Sequence, residues 1–543
     1  MALGPLALLV VCWAVMNLWH LGSAPLSKTE GLRAITGHQI NETGHWIVTR
    51  LYGQIYLRKP PGHAWVIAIT ERLTGVANEW VWRLPSAVAA LGIALLMFTM
   101  ARRWFGDTAG IVSGFSALAI VAVWSQNRSA EIDTLNTLGG VLAACSLIEI
   151  GFGTGQKRRK WLWAIVTALG MAIMLMVKGP AAAPLVGGAI VGASIMTGRW
   201  RWLARPEPWA GLIVGGGVFG AWAWAAYQGV ASSGPLGGNA RIGFDEMIAR
   251  MIPQDPMVIL HALTIPIILA ASAFPLSASL LVLLRRGGLT GLDPEQALRA
   301  RAILGTLLIA TAIFTLVGIE RPRYGYLIFP MLCPLVGLVA AMWQQRLLSE
   351  VAIMRLRQLA TVCVAVFGGL GLTFGVLASR AGSENHVTLS LAGAACLVSM
   401  IVGVIRWVRC DVRRGAAWLV VAIVGCSVAM GEQARLDRFA DSGANEGQAI
   451  AALTGPEQVL IAGEVVRNHP EVFWYAQRPV QRFDEGMEEA VRRGVSGWAV
   501  MDDEEFAKYS ADSRVKLDRV TPLPGFIEAR LMWMEAAAAP TAP

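Results

Sequence analysis

Three short runs set cations beside the stiffest or most permissive backbone residues: Arg58-Lys59-Pro60-Pro61, Lys178-Gly179-Pro180 and Arg321-Pro322-Arg323-Tyr324. Cations fixed in this way suit an anion whose oxygens accept several charge-assisted hydrogen bonds, phosphate above all. Carboxylates form the complementary set. Glu30 stands in Ser27-Lys28-Thr29-Glu30-Gly31-Leu32-Arg33, and Glu131 and Asp133 stand in Arg128-Ser129-Ala130-Glu131-Ile132-Asp133. A carboxylate at an apolar boundary has its pKa raised by desolvation, which suits removal of a proton from a hydroxyl. Each signal has a plainer reading. A lone boundary cation snorkels to lipid headgroups, and a lone carboxylate pairs with a neighbour such as Arg33 or Arg128, the better reading for Glu131.

The elements that must position these residues are membrane helices. Of the 543 residues, 55% are hydrophobic and 15% charged, against about a quarter charged in ordinary soluble domains. The 21 tryptophans against 7 tyrosines fit many bilayer interfaces, where indole rings anchor. Apolar stretches near spanning length recur at 4–22, 84–101, 109–126, 134–152, 161–177, 180–197, 209–228, 258–284, 302–319, 325–343, 359–378, 388–405 and 416–432, which predicts about thirteen transmembrane helices. The stretch 64–78 is interrupted by Glu71 and Arg72 and reads as an interfacial or re-entrant helix.

Alternate connections are rich in arginine and lysine, for example Lys157–Lys160 and Arg406–Arg414. The positive-inside rule makes these cytoplasmic. The amino terminus is then inside, and the first segment reads as a retained helix. After thirteen crossings the carboxy-terminal segment is outside. From Ala434 onward it holds 12 Lys+Arg and 18 Asp+Glu, a net −6, although the whole chain is +9. The basic balance therefore reports loop placement and gives no reason to expect nucleic acid. Two regions are expected: a transmembrane region, 1–433, with a long first outer loop at about 23–83, and a small extracytoplasmic α/β domain, 434–543. In the latter, 458–462 and 497–501 read as strands and 486–493 as a helix. Seven cysteines in or beside apolar stretches read as packing residues. The histidines (20, 38, 45, 63, 261, 386 and 469) fall on or near the outer side without metal-ligand spacing such as His-x-x-x-His.

On this topology all three cationic runs lie on the outer face, opposite the positive loops. Cations held at a membrane boundary need an anionic partner, and three clusters on one face point to a shared site for a lipid-linked phosphate.

The ordered series resembles the polyprenyl-phosphate-sugar-dependent glycosyltransferases of the GT-C class, in the branch of the lipid A aminoarabinose transferase and the protein O-mannosyltransferases. The residues that carry the resemblance are Thr29-Glu30, Gly44-His45-Trp46-Ile47-Val48, Tyr56-Leu57-Arg58-Lys59-Pro60-Pro61, Arg83-Leu84-Pro85-Ser86, Asp133, Lys178–Pro180 and Arg321–Tyr324. They cover about 1–345. The resemblance implies sugar transfer at the outer surface of the cell membrane, with inversion, from a polyprenyl-phosphate donor to a hydroxyl on a lipid, glycan or protein. Glu30 and Asp133 are the implied catalytic carboxylates, with Glu30 favoured as the base. Tyr56, Arg58, Lys59, Lys178, Arg321, Arg323 and Tyr324 are the implied ligands of the donor phosphate. No cofactor is required, since the leaving group is already a phosphate; a divalent metal is compatible with the resemblance but not indicated by the sequence. One departure stands out. Thr29 occupies the place of the family's usual first acid, and threonine takes no proton at neutral pH, so an inactive homologue is an alternative. Another is a transporter or flippase for a lipid-linked anion, although the two-half symmetry of broken helices usual in transporters is not evident.

Overall fold

The computed structural model describes residues 3–27, 29–154, 156–231, 258–274, 276–285, 287–316, 322–359, 442–463, 465–483, 486–525 and 527–536, and single residues between 373 and 424. Its first helix, α1, is Leu3–Leu18. The long first loop then folds into α2 (Thr29–Thr43), a two-residue antiparallel hairpin of β1 (Arg50–Leu51) and β2 (Gln54–Ile55), and α3 (Gly62–Thr74). Pro60 and Pro61 end the extended approach and admit the helix directly after, since proline is tolerated at a helix start. Glycine ends it: Gly75 takes φ +70°, in the left-handed region, and its N–H donates to the Glu71 carbonyl.

The bundle proper begins with α4 (Glu79–Phe105), whose start is capped by Asn78 accepting from the Val81 N–H. It continues through α5 (Asp107–Leu118), α6 (Val121–Asn127), α7 (Asp133–Phe152) and α8 (Lys157–Lys178). Among the described residues, seven helices are long and apolar enough to cross a membrane: α4, α7, α8, Pro180–Thr197, Pro206–Val230, Pro294–Leu316 and Gly325–Gln344. α1, apolar at 16 residues, falls short of the usual span length. The stretch expected as one span at 109–126 is instead divided between α5 and α6, with Ile120 extended between them. The stretch 258–284 likewise divides, since Thr264–Ser272 and Leu276–Leu283 meet at 110°. The last three expected spans, 359–378, 388–405 and 416–432, fall almost wholly outside the described residues.

Small residues bring the helices together. A Cβ on Gly139 of α7 would lie 2.6 Å from the Met174 nitrogen and 2.8 Å from the Gly170 carbonyl oxygen of α8. Gly192 and Gly305 approach closer still, each with an imagined Cβ 2.0 Å from the other's carbonyl oxygen. Between membrane helices, where lipid tails remove the hydrophobic incentive to associate, such contact is a main source of attraction.

Residues 442–536 form a five-stranded mixed sheet in the order β4-β3-β5-β7-β6, from β3 (Leu460–Ala462), β4 (Val480–Arg482), β5 (Gly497–Asp502), β6 (Val515–Pro522) and β7 (Ala529–Ala536). β3 pairs parallel with β4 and β5, and β7 antiparallel with β5 and β6. Both faces of β5 are covered: Trp498 and Val500 pack in one apolar cluster, Ala499 and Met501 in another. The sheet region docks on the first loop. The Tyr475 hydroxyl donates to Glu79 (2.7 Å) and accepts the Leu26 N–H (2.7 Å), Tyr52 donates to the Pro470 carbonyl (3.0 Å), and Gln54 donates to the Arg482 carbonyl (2.8 Å).

Candidate active site

The site is built where α7 begins and α8 ends. Asp133 is the first residue of α7, and Lys178 the last of α8. Gly179 stops α8 at φ +70°, and Pro180 starts the next turn, so the Lys-Gly-Pro run fixes where the ammonium sits. The two side chains form a buried ion pair, Asp133 at 4% exposure and Lys178 at 9%. The second-loop acid and the Lys-Gly-Pro cation, 45 residues apart in the chain, are direct partners.

The Lys-Pro-Pro run lies next to them. A Cβ on Gly62 would lie 2.6 Å from the Met176 carbonyl oxygen, so α3 starts hard against the end of α8. Beside this contact is a small cleft, lined by Arg33, Tyr56, Lys59, Pro61, His63 and Ile132 among others. Arg33 donates to the Tyr56 hydroxyl (2.8 Å). Burial works against the Arg33 charge, but Tyr56, Glu131 and Asp133 outweigh it and raise its pKa. The cleft is therefore cationic and has a phenol presented by a cation, a combination suited to an oxyanion.

The expected ligands divide accordingly. Tyr56 and Lys59 line the cleft, and Lys178 is paired with Asp133, the residue after the cleft-lining Ile132. Arg58, next to Lys59, is exposed and is not among the lining residues. Arg323 and Tyr324 belong to the 3-10 turn Pro322–Ile328, whose backbone packs against α6 and α7, so that turn faces the second loop. Arg321 lies outside the described residues.

Glu30 does not sit as a base would. Its Oε1 accepts from Arg83 Nε (2.7 Å) and the Ala130 N–H (2.8 Å), and its Oε2 from Arg83 Nη2 (3.1 Å). Arg83 also donates to the carbonyls of Leu21 (2.8 Å), Ala24 (2.8 Å) and Pro25 (3.0 Å). Its five N–H donors are thus all used, at 1% exposure against 3% for Glu30. Glu30, favoured from the sequence as the base, is thus engaged by Arg83 of α4 and by the Ala130 N–H of the second loop, and so links three segments of the chain. Arg83, which entered the sequence reading only as part of the motif series, is the partner that sequence reasoning missed; 53 residues separate the pair, and no local pattern links them. Thr29 donates to the Glu131 carboxylate, so a hydroxyl of the first loop binds Glu131, whose charge also helps to raise the Arg33 pKa.

Among the described residues, no group of three or more His, Cys, Asp or Glu side chains could hold a metal ion.

Three comparisons with known proteins bear on the chain as a whole. The family model described as dolichyl-phosphate-mannose-protein mannosyltransferase matches residues 58–224. Over 189 residues, 30% of this chain, the sequence is 25% identical to an undecaprenyl phosphate-alpha-4-amino-4-deoxy-L-arabinose arabinosyl transferase of Enterobacter sp. (strain 638). That alignment spans 34% of the relative's length. The crystal structure of ArnT from Cupriavidus metallidurans bound to undecaprenyl phosphate superposes with a TM-score of 0.74 at 20% identity, covering 100% of both chains. This chain has the ArnT fold. The apo ArnT structure gives 0.71 at 18% identity, covering 99% of this chain and 98% of that one. The resemblance to the GT-C class drawn from the ordered motifs therefore holds, from the family match across the Lys-Pro-Pro and Lys-Gly-Pro runs to the ArnT fold of the whole.

Proposed function

We propose that the chain is an integral-membrane glycosyltransferase that moves a sugar from a polyprenyl phosphate to a hydroxyl, with inversion. The observation that carries this reading is the buried Asp133–Lys178 pair next to a cationic cleft lined by Arg33, Tyr56 and Lys59, within an ArnT fold. The donor phosphate enters the cleft. Arg33, Tyr56 and Lys59 hold its oxygens, and the motif series adds Arg321, Arg323 and Tyr324 as further ligands of the same phosphate. Lys178 then shares its charge between the phosphate and Asp133, which leaves the Asp133 carboxylate able to accept the acceptor's proton. The hydroxyl oxygen attacks the anomeric carbon as the bond to the phosphate oxygen breaks, and the fixed cations offset the charge that grows on the leaving group. No step requires a metal.

The same reading sets the chain in a cell inner membrane with about thirteen spans. The amino terminus is cytoplasmic, and the cleft and the carboxy-terminal α/β domain (434–543) are extracytoplasmic. The acceptor is a lipid, glycan or protein, and the contacts of Tyr52, Gln54 and Tyr475 put that domain where it can help to select it. The alternative of a flippase uses the same cations but leaves the buried carboxylate without work.

Mass spectrometry of envelope lipids and glycans from cells with wild-type protein, with Asp133→Asn and without the protein tests the reading. One sugar addition should be present in the first and missing in the other two. Identical profiles in all three overturn it.

A further inference from the structure

His63 has no part in the reaction described so far. It is the second residue of α3, 2% exposed, and its ring lines the cleft beside Arg33, Tyr56 and Lys59. Neither Nδ1 nor Nε2 has a hydrogen-bond partner among the described residues. A histidine that merely fills space in a core pairs its nitrogens, because leaving them dry and unpaired is costly. This one is instead locked in place, since only glycine at position 62 lets α3 begin so close to the Met176 carbonyl.

The charged and titratable groups around the ring are Arg33 on α2, Tyr56 and Lys59 on the loop before α3, Asp133 on α7, and Lys178 on α8, paired with that aspartate. Burial, and then the Arg33 charge, pull the imidazole pKa down to about 3, with Asp133 opposing. The resting ring is therefore neutral, with one N–H to give and one lone pair to accept. A phosphate oxygen in the cleft would satisfy the N–H, and its negative charge would oppose the Arg33 effect that keeps the ring unprotonated.

We propose that His63 is a ligand of the donor phosphate in two protonation states: neutral towards the phosphodiester, and protonated towards the doubly charged polyprenyl phosphate left when the sugar departs. This rests on the glycosyl-transfer reading above. The acceptor oxygen forms its bond to the anomeric carbon, the pair of the broken carbon–oxygen bond stays on the phosphate, and the hydroxyl proton passes by way of Asp133 to the His63 ring. Atoms and charge balance without a further reactant, and loss of that proton to water then frees the product.

Calorimetry on the full chain in lipid nanodiscs, run in buffers of different ionisation enthalpy under mildly alkaline conditions, tests this. The probes are a short-chain polyprenyl phosphate and its methyl diester, which stays singly charged. Wild type should take up about one proton per monoester and none with the diester. His63→Gln keeps an N–H, so it should bind the diester within about threefold of wild type yet lose the proton uptake. His63→Ala should lose the uptake and bind the diester about tenfold more weakly. Unchanged uptake in His63→Gln, or unchanged diester affinity in His63→Ala, overturns the assignment of His63 and leaves the glycosyltransferase reading intact. Binding of neither probe by wild type overturns both.

Discussion

Glu30 and Asp133 are both buried carboxylates with a basic partner, and their surroundings give them different work. Glu30 accepts hydrogen bonds from the Ala130 N–H and twice from an arginine that also ties down three carbonyls. Asp133 is paired with Lys178, at a helix end next to the cleft. An arginine fork in that setting holds its partner, whereas a lysine is a point charge that a phosphate can draw away. Glu30→Gln should therefore act on stability, costing about 3–5 kcal/mol because Arg83 is left buried with an uncompensated charge. Thermal unfolding in detergent should show the loss, and activity per folded molecule should stay near normal. Asp133→Asn should also lower the unfolding temperature, because Lys178 is left buried without its counter-charge, but unlike Glu30→Gln it should cut turnover per folded molecule about 100- to 10,000-fold, with donor affinity retained or improved because Lys178 has lost its competitor. A normal rate in Asp133→Asn would remove it from the mechanism.

At the scale of elements, the site depends on how closely α3 meets α8. The contact is made through the Gly62 backbone against Met176, and it sets Lys59, Pro61 and His63 beside the residues that close α8. Gly62→Ala should push α3 outward, costing about 1–3 kcal/mol by overpacking and weakening donor binding, read as a lower melting temperature and a raised Kd for a polyprenyl phosphate. Retention of wild-type affinity would mean that the cleft does not depend on this contact. The other end of α3 is held by polar groups: Glu71 accepts from Trp82 Nε1 (2.8 Å) and pairs with His38 (3.0 Å). Burial acts against the charged His38 ring, but hydrogen bonds to Glu42 and Glu71 outweigh it and raise the pKa from 6.5 to about 9. A raised folded-state pKa means that the His38 contribution is fully present below pH 6.5 and is lost as pH rises through about 9. Melting temperature should fall over that window in wild type, and this fall should be smaller in His38→Gln.

The whole molecule joins a membrane bundle to a mixed sheet by way of the first loop. Trp474 from the sheet region packs against Trp82 (4.9 Å between ring centres) and His38 (5.1 Å), so the residues that brace α3 also brace the docked sheet. Tyr475 adds a hydroxyl that bridges Glu79, at the start of α4, and the Leu26 N–H. Tyr475→Phe leaves that N–H without its acceptor and should cost about 1–3 kcal/mol. Limited proteolysis within residues 442–536 should then be faster than in wild type. An unaltered cleavage rate would show that apolar packing alone holds the sheet region in place.

By itself, the sequence determined the medium, the class and the order of the parts. Membrane burial of long apolar runs is a property of composition and length, and cations fixed by proline or glycine keep their meaning wherever the chain carries them. Two of the five tail strands were legible for a similar local reason: β3 and β5 are short apolar runs between turns, buried on both faces, whereas β4, β6 and β7 were not read. Only the tertiary structure decided which charge meets which. Glu30 with Arg83, Asp133 with Lys178 and Thr29 with Glu131 are separated by 53, 45 and 102 residues, and no periodicity connects positions so far apart. His63 shows the same limit, since a lone histidine in a sequence has no environment; that its ring lacks a hydrogen-bond partner among the described residues follows from how α2, α3 and the start of α7 come together.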